Sequence, residues 1–121
     1  MWNGINRRKF PRINYKCIIT IKSVGEIPKI ITTHTENVGM GGICVMLRDY
    51  LDLFKMVELE VLFENGSGPL RCNGSVVWVV KKSDPTSKDE ITYDTGIEFV
   101  DLNQANKTRI GNIVEKILST E

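Results

Sequence analysis

Arg8 and Arg12 stand four residues apart in the run Arg8-Lys9-Phe10-Pro11-Arg12. Each carries a planar guanidinium whose fork matches phosphate oxygens, or the O6 and N7 of guanine. Pro11 fixes its own φ and pushes Phe10 away from helical geometry, so the segment is extended or turned and the two arginines cannot share a helical face. They can approach a flat anionic object from different sides, and Arg7 adds a third cation beside them. A second constellation, Asn37-Val38-Gly39-Met40-Gly41-Gly42, sets an amide before three glycines. Asparagine offers a donor and an acceptor to a base edge. The glycines let a flat ligand approach the backbone without interference from a Cβ. A glycine-rich turn joining two strands has the same composition, and paired arginines at this spacing are common.

Catalytic chemistry does not assemble from the other residues. A nucleophile needs a base and a metal needs a cluster of ligands. The chain has one histidine, His34, and three widely spaced cysteines, Cys17, Cys44 and Cys72, without a Cys-x-x-Cys pair. Each cysteine lies within an apolar strand pattern and reads as a reduced packing residue. The carboxylates mostly alternate along strand faces that point to water. The expectation is a protein that is not an enzyme and holds no catalytic residue, metal or resident cofactor.

The elements that must position these groups follow from periodicity. From Ile13 the residues Ile13, Tyr15, Cys17, Ile19 and Ile21 share one parity, as in a half-buried strand. Segments 29–36 and 43–47 read as two more strands around a glycine bend. Val57, Leu59, Val61 and Phe63 alternate with Glu58, Glu60 and Glu64. The turn residues Asn65-Gly66-Ser67-Gly68-Pro69 follow, and Cys72, Val76, Trp78 and Val80 resume as the return strand of a hairpin. Residues 81–90 read as a polar loop, and Ile91, Tyr93, Ile97 and Phe99 as the last strand. Ile110, Ile113, Val114, Ile117 and Leu118 then fall at helical spacing, with Asp101 or Asn103 as N-cap. Short strands closed by one helix, with none between them, favour a small antiparallel barrel. The expected layout is a flexible basic arm at 1–12, a barrel at 13–100 and a helical segment at 101–121, forming one domain.

With 121 residues and a formal charge of +1, the chain lacks the global basic field that wraps duplex nucleic acid. Residues 1–22 nevertheless hold six basic side chains and no acidic one, leaving an acidic body at −5. Any anion site is therefore local, between arm and body. No apolar run approaches the roughly 20 residues of a membrane helix, and residues 1–20 lack the order of a signal peptide. The expected location is the cytoplasm, without membrane insertion.

Taken together and in this order, the two constellations resemble the PilZ family of bacterial cyclic di-GMP receptors. That family's signature is Arg-x-x-x-Arg followed, after the first strands, by Asp/Asn-x-Ser-x-x-Gly. Arg8 and Arg12 match the first motif, and Asn37 and Gly42 match the ends of the second. Val76-Val77-Trp78, Thr95-Gly96-Ile97-Glu98-Phe99 and the helix around Arg109-Ile110-Gly111 agree as well. The resemblance implies a six-stranded antiparallel β-barrel with a C-terminal amphipathic helix. It also implies cyclic di-GMP as ligand: Arg8 and Arg12 would contact phosphate and guanine, Arg7 would join them if two stacked ligand molecules bind together, Asn37 would read a guanine edge and Gly42 would admit the ligand to the backbone. Trp78 is a secondary candidate for stacking on a base, the alternative being a core tryptophan. Gly39 replaces the usual serine, a lost hydroxyl worth about 0.5–1.5 kcal/mol if it bonds the ligand. Closure of the arm would change a surface read by a downstream protein partner. The alternative is a degenerate PilZ-like adaptor that binds a protein and no nucleotide. Binding of single-stranded nucleic acid is disfavoured by the acidic body and the few aromatic platforms.

Overall fold

Strands whose β-branched residues alternate with charged ones must bury one face, and in the computed structural model they do so by closing into a ring. The structure describes residues 12–13, 17–23, 29–39, 41–63, 68–83 and 91–119. In chain order the elements are β1 (Arg12–Ile13), β2 (Ile18–Ser23), β3 (Lys29–Gly39), β4 (Gly42–Leu47), β5 (Met56–Leu62), β6 (Leu70–Ser83), β7 (Ile91–Phe99) and the helix α1 (Gln104–Ser119). Strand β3 pairs with β2, then β5, β6, β7 and β4 follow, and β4 returns to β3, every pairing antiparallel. This is the expected six-stranded barrel with a terminal helix. The short β1 adds to β3 through Arg12 opposite Gly39 and Ile13 opposite Val38.

The barrel interior is filled by the inward parity of each strand, including Ile19, Ile21, Val38, Ile43, Val57, Val61, Leu70, Val76 and Ile97, all nearly inaccessible. Glu58 and Glu60 point outward between buried Val57, Leu59 and Val61, as their alternation requires. Helix α1 closes the core with Ile110 and Val114, and Ile113 packs at the margin. Its cap is Asn103, whose Oδ1 accepts the Asn106 N–H at 2.8 Å. Asp101 has a different task. Its Oδ1 accepts the Asn73 backbone N–H at 2.6 Å and its Oδ2 the Asn73 side-chain N–H at 2.7 Å, tying the approach to the helix onto β6. Arg109 lies over the Phe63 ring at 5.6 Å and donates to the Gly68 carbonyl at 2.7 Å, fixing the helix to the ends of the β5–β6 connection.

Three boundaries differ from the periodicity reading. Strand β3 runs through Gly39 and β4 begins at Gly42, so the glycine segment forms the strand ends and only the residues between make the bend. Strand β6 continues to Ser83, because Lys81, Lys82 and Ser83 keep pairing with Tyr93, Thr92 and Ile91 as a ribbon whose polar side chains face water. The segment between β4 and β5 is a turn with Leu51 buried and Phe54 at φ 65°, its N–H held by the Val76 carbonyl at 2.6 Å.

Candidate functional site

Two β-bulges decide what the outer face of the barrel presents. On β3, Thr35 is opposite Val45 and Asn37 opposite Cys44, so Glu36 is an extra residue. Thr35 and Val38 both point into the core. Strict alternation from Thr35 would turn Asn37 inward, and the bulge turns it outward instead. On β6, Val76 is opposite Ile97 and Trp78 opposite Gly96, leaving Val77 extra. The sequence pattern put Val76, Trp78 and Val80 on one face. The structure corrects this: Val76 is in the core, Val79 packs against it, Trp78 is half-buried on the outside and Val80 is exposed.

These outward residues form one row across four strands. Asn37 on β3 is opposite Cys44 on β4, Cys44 is opposite Gly96 on β7, and Gly96 is opposite Trp78 on β6. At the usual strand spacing the row spans about 14 Å. The Trp78 indole lies flat across Gly96, where an added Cβ would run into the ring atoms Nε1, Cε2 and Cδ1. A platform of one indole on a bare backbone therefore sits at one end of the row, and an amide at the other.

The arm reaches this row through β1. The Arg12 backbone is opposite Gly39, two residues from Asn37 on the same strand. Arg7 and Arg8 lie outside the described residues. Gly39 is buried at the end of β3. Gly42 has no positive φ, and its glycine is required by close packing: a Cβ there would strike the Ile97 carbonyl of β7. The fold alone accounts for glycine at that position. His34 is exposed on β3, and none of the three cysteines forms a disulfide. Cys72 is half-buried beside Asp101, and burial followed by that charge pushes its thiol up to about 11. It is therefore a protonated, poorly nucleophilic thiol at neutral pH. No group of three or more metal-ligating side chains occurs among the described residues.

Residues that the sequence reading did not single out complete the face. Lys82 Nζ is 2.6 Å from Asp94 Oδ2, and Glu36 adjoins the same carboxylate. The Asp94 contact raises the Lys82 ammonium pKa. Gly96 carried a readable signal, since a glycine inside a strand pattern marks a close approach. The charged trio carried none, because its members lie on β3, β6 and β7 and meet only through the sheet register.

A closed six-stranded antiparallel barrel capped by one helix, with the short β1 paired beside its glycine-rich hairpin, defines a small all-β domain. A family model for the PilZ domain matches residues 6–116, and the chain belongs to that family. Among solved structures, MrkH of K. pneumonia in complex with c-di-GMP is similar at TM-score 0.75 and 15% identity, over 94% of this chain and 53% of that one. The inhibitor of motility MotI/DgrA of Bacillus subtilis is similar at TM-score 0.70 and 18% identity, over 93% and 52%. The PilZ domain of YcgR from Escherichia coli, solved with c-di-GMP, is similar at TM-score 0.70 and 13% identity, over 94% and 93%. The chain thus spans about half the length of the MotI and MrkH chains. No curated protein matches its sequence.

Proposed function

We propose that this chain is a non-enzymatic receptor for cyclic di-GMP. The nucleotide lies on the outer row between Asn37 and Trp78, and the basic arm closes over it. Arg8 and Arg12 contact phosphate and guanine, with one guanidinium stacking on a base. Arg7 joins them when two stacked ligand molecules bind together. Asn37 reads a guanine edge, Gly39 and Gly42 leave the backbone accessible, and Trp78 supplies a stacking platform worth about 1–3 kcal/mol per base.

The observation that carries this reading is the pairing of Arg12 with Gly39, which anchors the arm two residues from Asn37. From that anchor, four residues of chain keep Arg8 within about 14 Å of Arg12. Both arginines can therefore reach the row. Family membership and the c-di-GMP bound to the YcgR domain and to MrkH support the same ligand. Ordering of the arm alters the surface beside the row, and a protein partner reads that change.

Isothermal titration with cyclic di-GMP tests the reading. Saturable heat is expected, with affinity falling about tenfold to hundredfold in Arg8→Ala and Arg12→Ala, the worth of one charge-assisted hydrogen bond of about 1.5–3 kcal/mol. In a Trp2→Phe background, which leaves Trp78 as the remaining indole of the two, its emission is expected to change with the same affinity. Unchanged affinity in both arginine variants would remove the proposal and leave the adaptor reading.

A further inference from the structure

Beside Asn37 the outer face holds two carboxyl groups and one ammonium, and one buried carboxylate oxygen there has no donor among the described residues. Glu36 is the extra residue of the β3 bulge, and the register brings it across β4 toward Asp94 of β7. The Asp94 side chain is only 13% exposed, and its Oδ2 faces Lys82 Nζ at 2.6 Å. Its Oδ1 is buried, and no donor among the described residues reaches it. A buried carboxylate oxygen without a donor is costly. Its carboxyl neighbour can donate only when protonated. Partial burial, then the Asp94 charge, hold the Glu36 carboxyl above its ordinary value, while Lys82 pulls it down.

The other groups facing Glu36 are His34 on its own strand and the Cys44 thiol on β4. Strand β2 presents uncharged Ile18 opposite His34. Asp94 on β7 and Lys82 on β6 complete the set among the described residues.

We propose that Glu36 and Asp94 share a proton, and that a dinucleotide dianion settling on the row from Asn37 to Trp78 draws a full proton onto Glu36. Binding then takes up a proton and tightens as the pH falls. This inference rests on reading the row as a cyclic di-GMP site. An anion beside a carboxylate favours its neutral form, and by linkage the protonated form favours the anion to the same degree. The effect is bounded by one proton, about tenfold in affinity per pH unit across the window in which Glu36 titrates.

The test is titration of the full chain with cyclic di-GMP between pH 5 and 8, in pairs of buffers with different ionisation enthalpies. Glu36→Gln is carried alongside, since its amide donates to Asp94 without a proton. Wild type is expected to bind more tightly at low pH, with heats that differ between buffers. Glu36→Gln is expected to bind across the range as wild type does at low pH, with equal heats in each buffer pair. Buffer-independent heats in wild type overturn the linkage and leave the receptor reading standing. A pH dependence that persists in Glu36→Gln also overturns it. Absence of binding by either protein at every pH overturns the receptor reading and the linkage with it.

The ligand-free protein gives a second readout. The folded pKa of Glu36 is raised, so its contribution to stability is full below the unfolded value and is lost as pH rises through the folded one. Wild type should lose stability relative to Glu36→Gln across that window, and equal stabilities throughout would overturn the shared proton.

Discussion

Gly96 condenses the logic of the site into one residue, because it is the absence of a side chain there that lets the Trp78 ring lie across β7. Addition of a methyl group at Gly96 would displace the indole, since the clash is with three ring atoms rather than with the tip of a flexible chain. Gly96→Ala is expected to destabilise the barrel by about 1–3 kcal/mol, the usual cost of overpacking. It is also expected to move Trp78 emission toward that of a solvent-exposed indole. Urea titration followed by fluorescence and by circular dichroism checks both parts. An unchanged spectrum with unchanged stability would show that the ring does not rest on Gly96. At this scale the sequence was partly readable. Arg12, Asn37 and Trp78 drew attention by residue type and spacing, and the register sets Asn37 and Trp78 in one row with Arg12 paired beside it. The glycine under the indole and the carboxyl pair behind Asn37 depend on which strand lies next to which, a fact that no single segment contains.

The strands and helix were legible because each has a long enough period to declare its buried face. Ile19 and Ile21 on β2, Val57, Leu59 and Val61 on β5, and Ile110 and Val114 on α1 are all buried as their spacing demands. The bulges escaped because a bulge is a relation between two strands. In isolation, Glu36 and Val77 each look like one more residue in an alternating run. Strand β1 was read only as the start of the run that leads into β2, since two residues have no period of their own that would set them apart. The same limit applies to Asp101, which the local pattern offers as a helix cap and which the fold uses to grip Asn73 on β6. Asp101→Ala is expected to remove two charge-assisted hydrogen bonds and cost about 1.5–3 kcal/mol, whereas Asn103→Ala, which removes the cap, should cost about 1 kcal/mol. Chemical denaturation midpoints at constant m-value give the comparison. A larger loss for Asn103→Ala would reverse the assignment of the two roles.

At the scale of the molecule, β3 is the strand on which barrel closure and the proposed ligand site meet. It pairs with β2 along its first half, with β4 around the bulge and with β1 at its end. Closure of the barrel therefore fixes the place where β1 joins, with Arg12 opposite Gly39 at the end of β3. The core behind it is continuous from Ile19 on β2 to Ile110 on α1, so the barrel and helix should unfold as one unit. Ile110→Ala, at a side chain 1% exposed, is expected to lower stability by about 2–5 kcal/mol, with fluorescence and circular dichroism transitions remaining coincident. A nucleotide that binds only the closed, folded barrel must raise the unfolding midpoint by mass action. Saturation at a hundred times the dissociation constant adds about 2.7 kcal/mol. That gain should restore part of what Ile110→Ala loses, because Ile110 is a buried core side chain and not one of the proposed ligand contacts, and it should fall to about 0.4–1.4 kcal/mol in Arg12→Ala at the same ligand concentration. Separate transitions for barrel and helix, or equal stabilisation of the Arg12 variant, would break the connection drawn between barrel closure, arm placement and ligand.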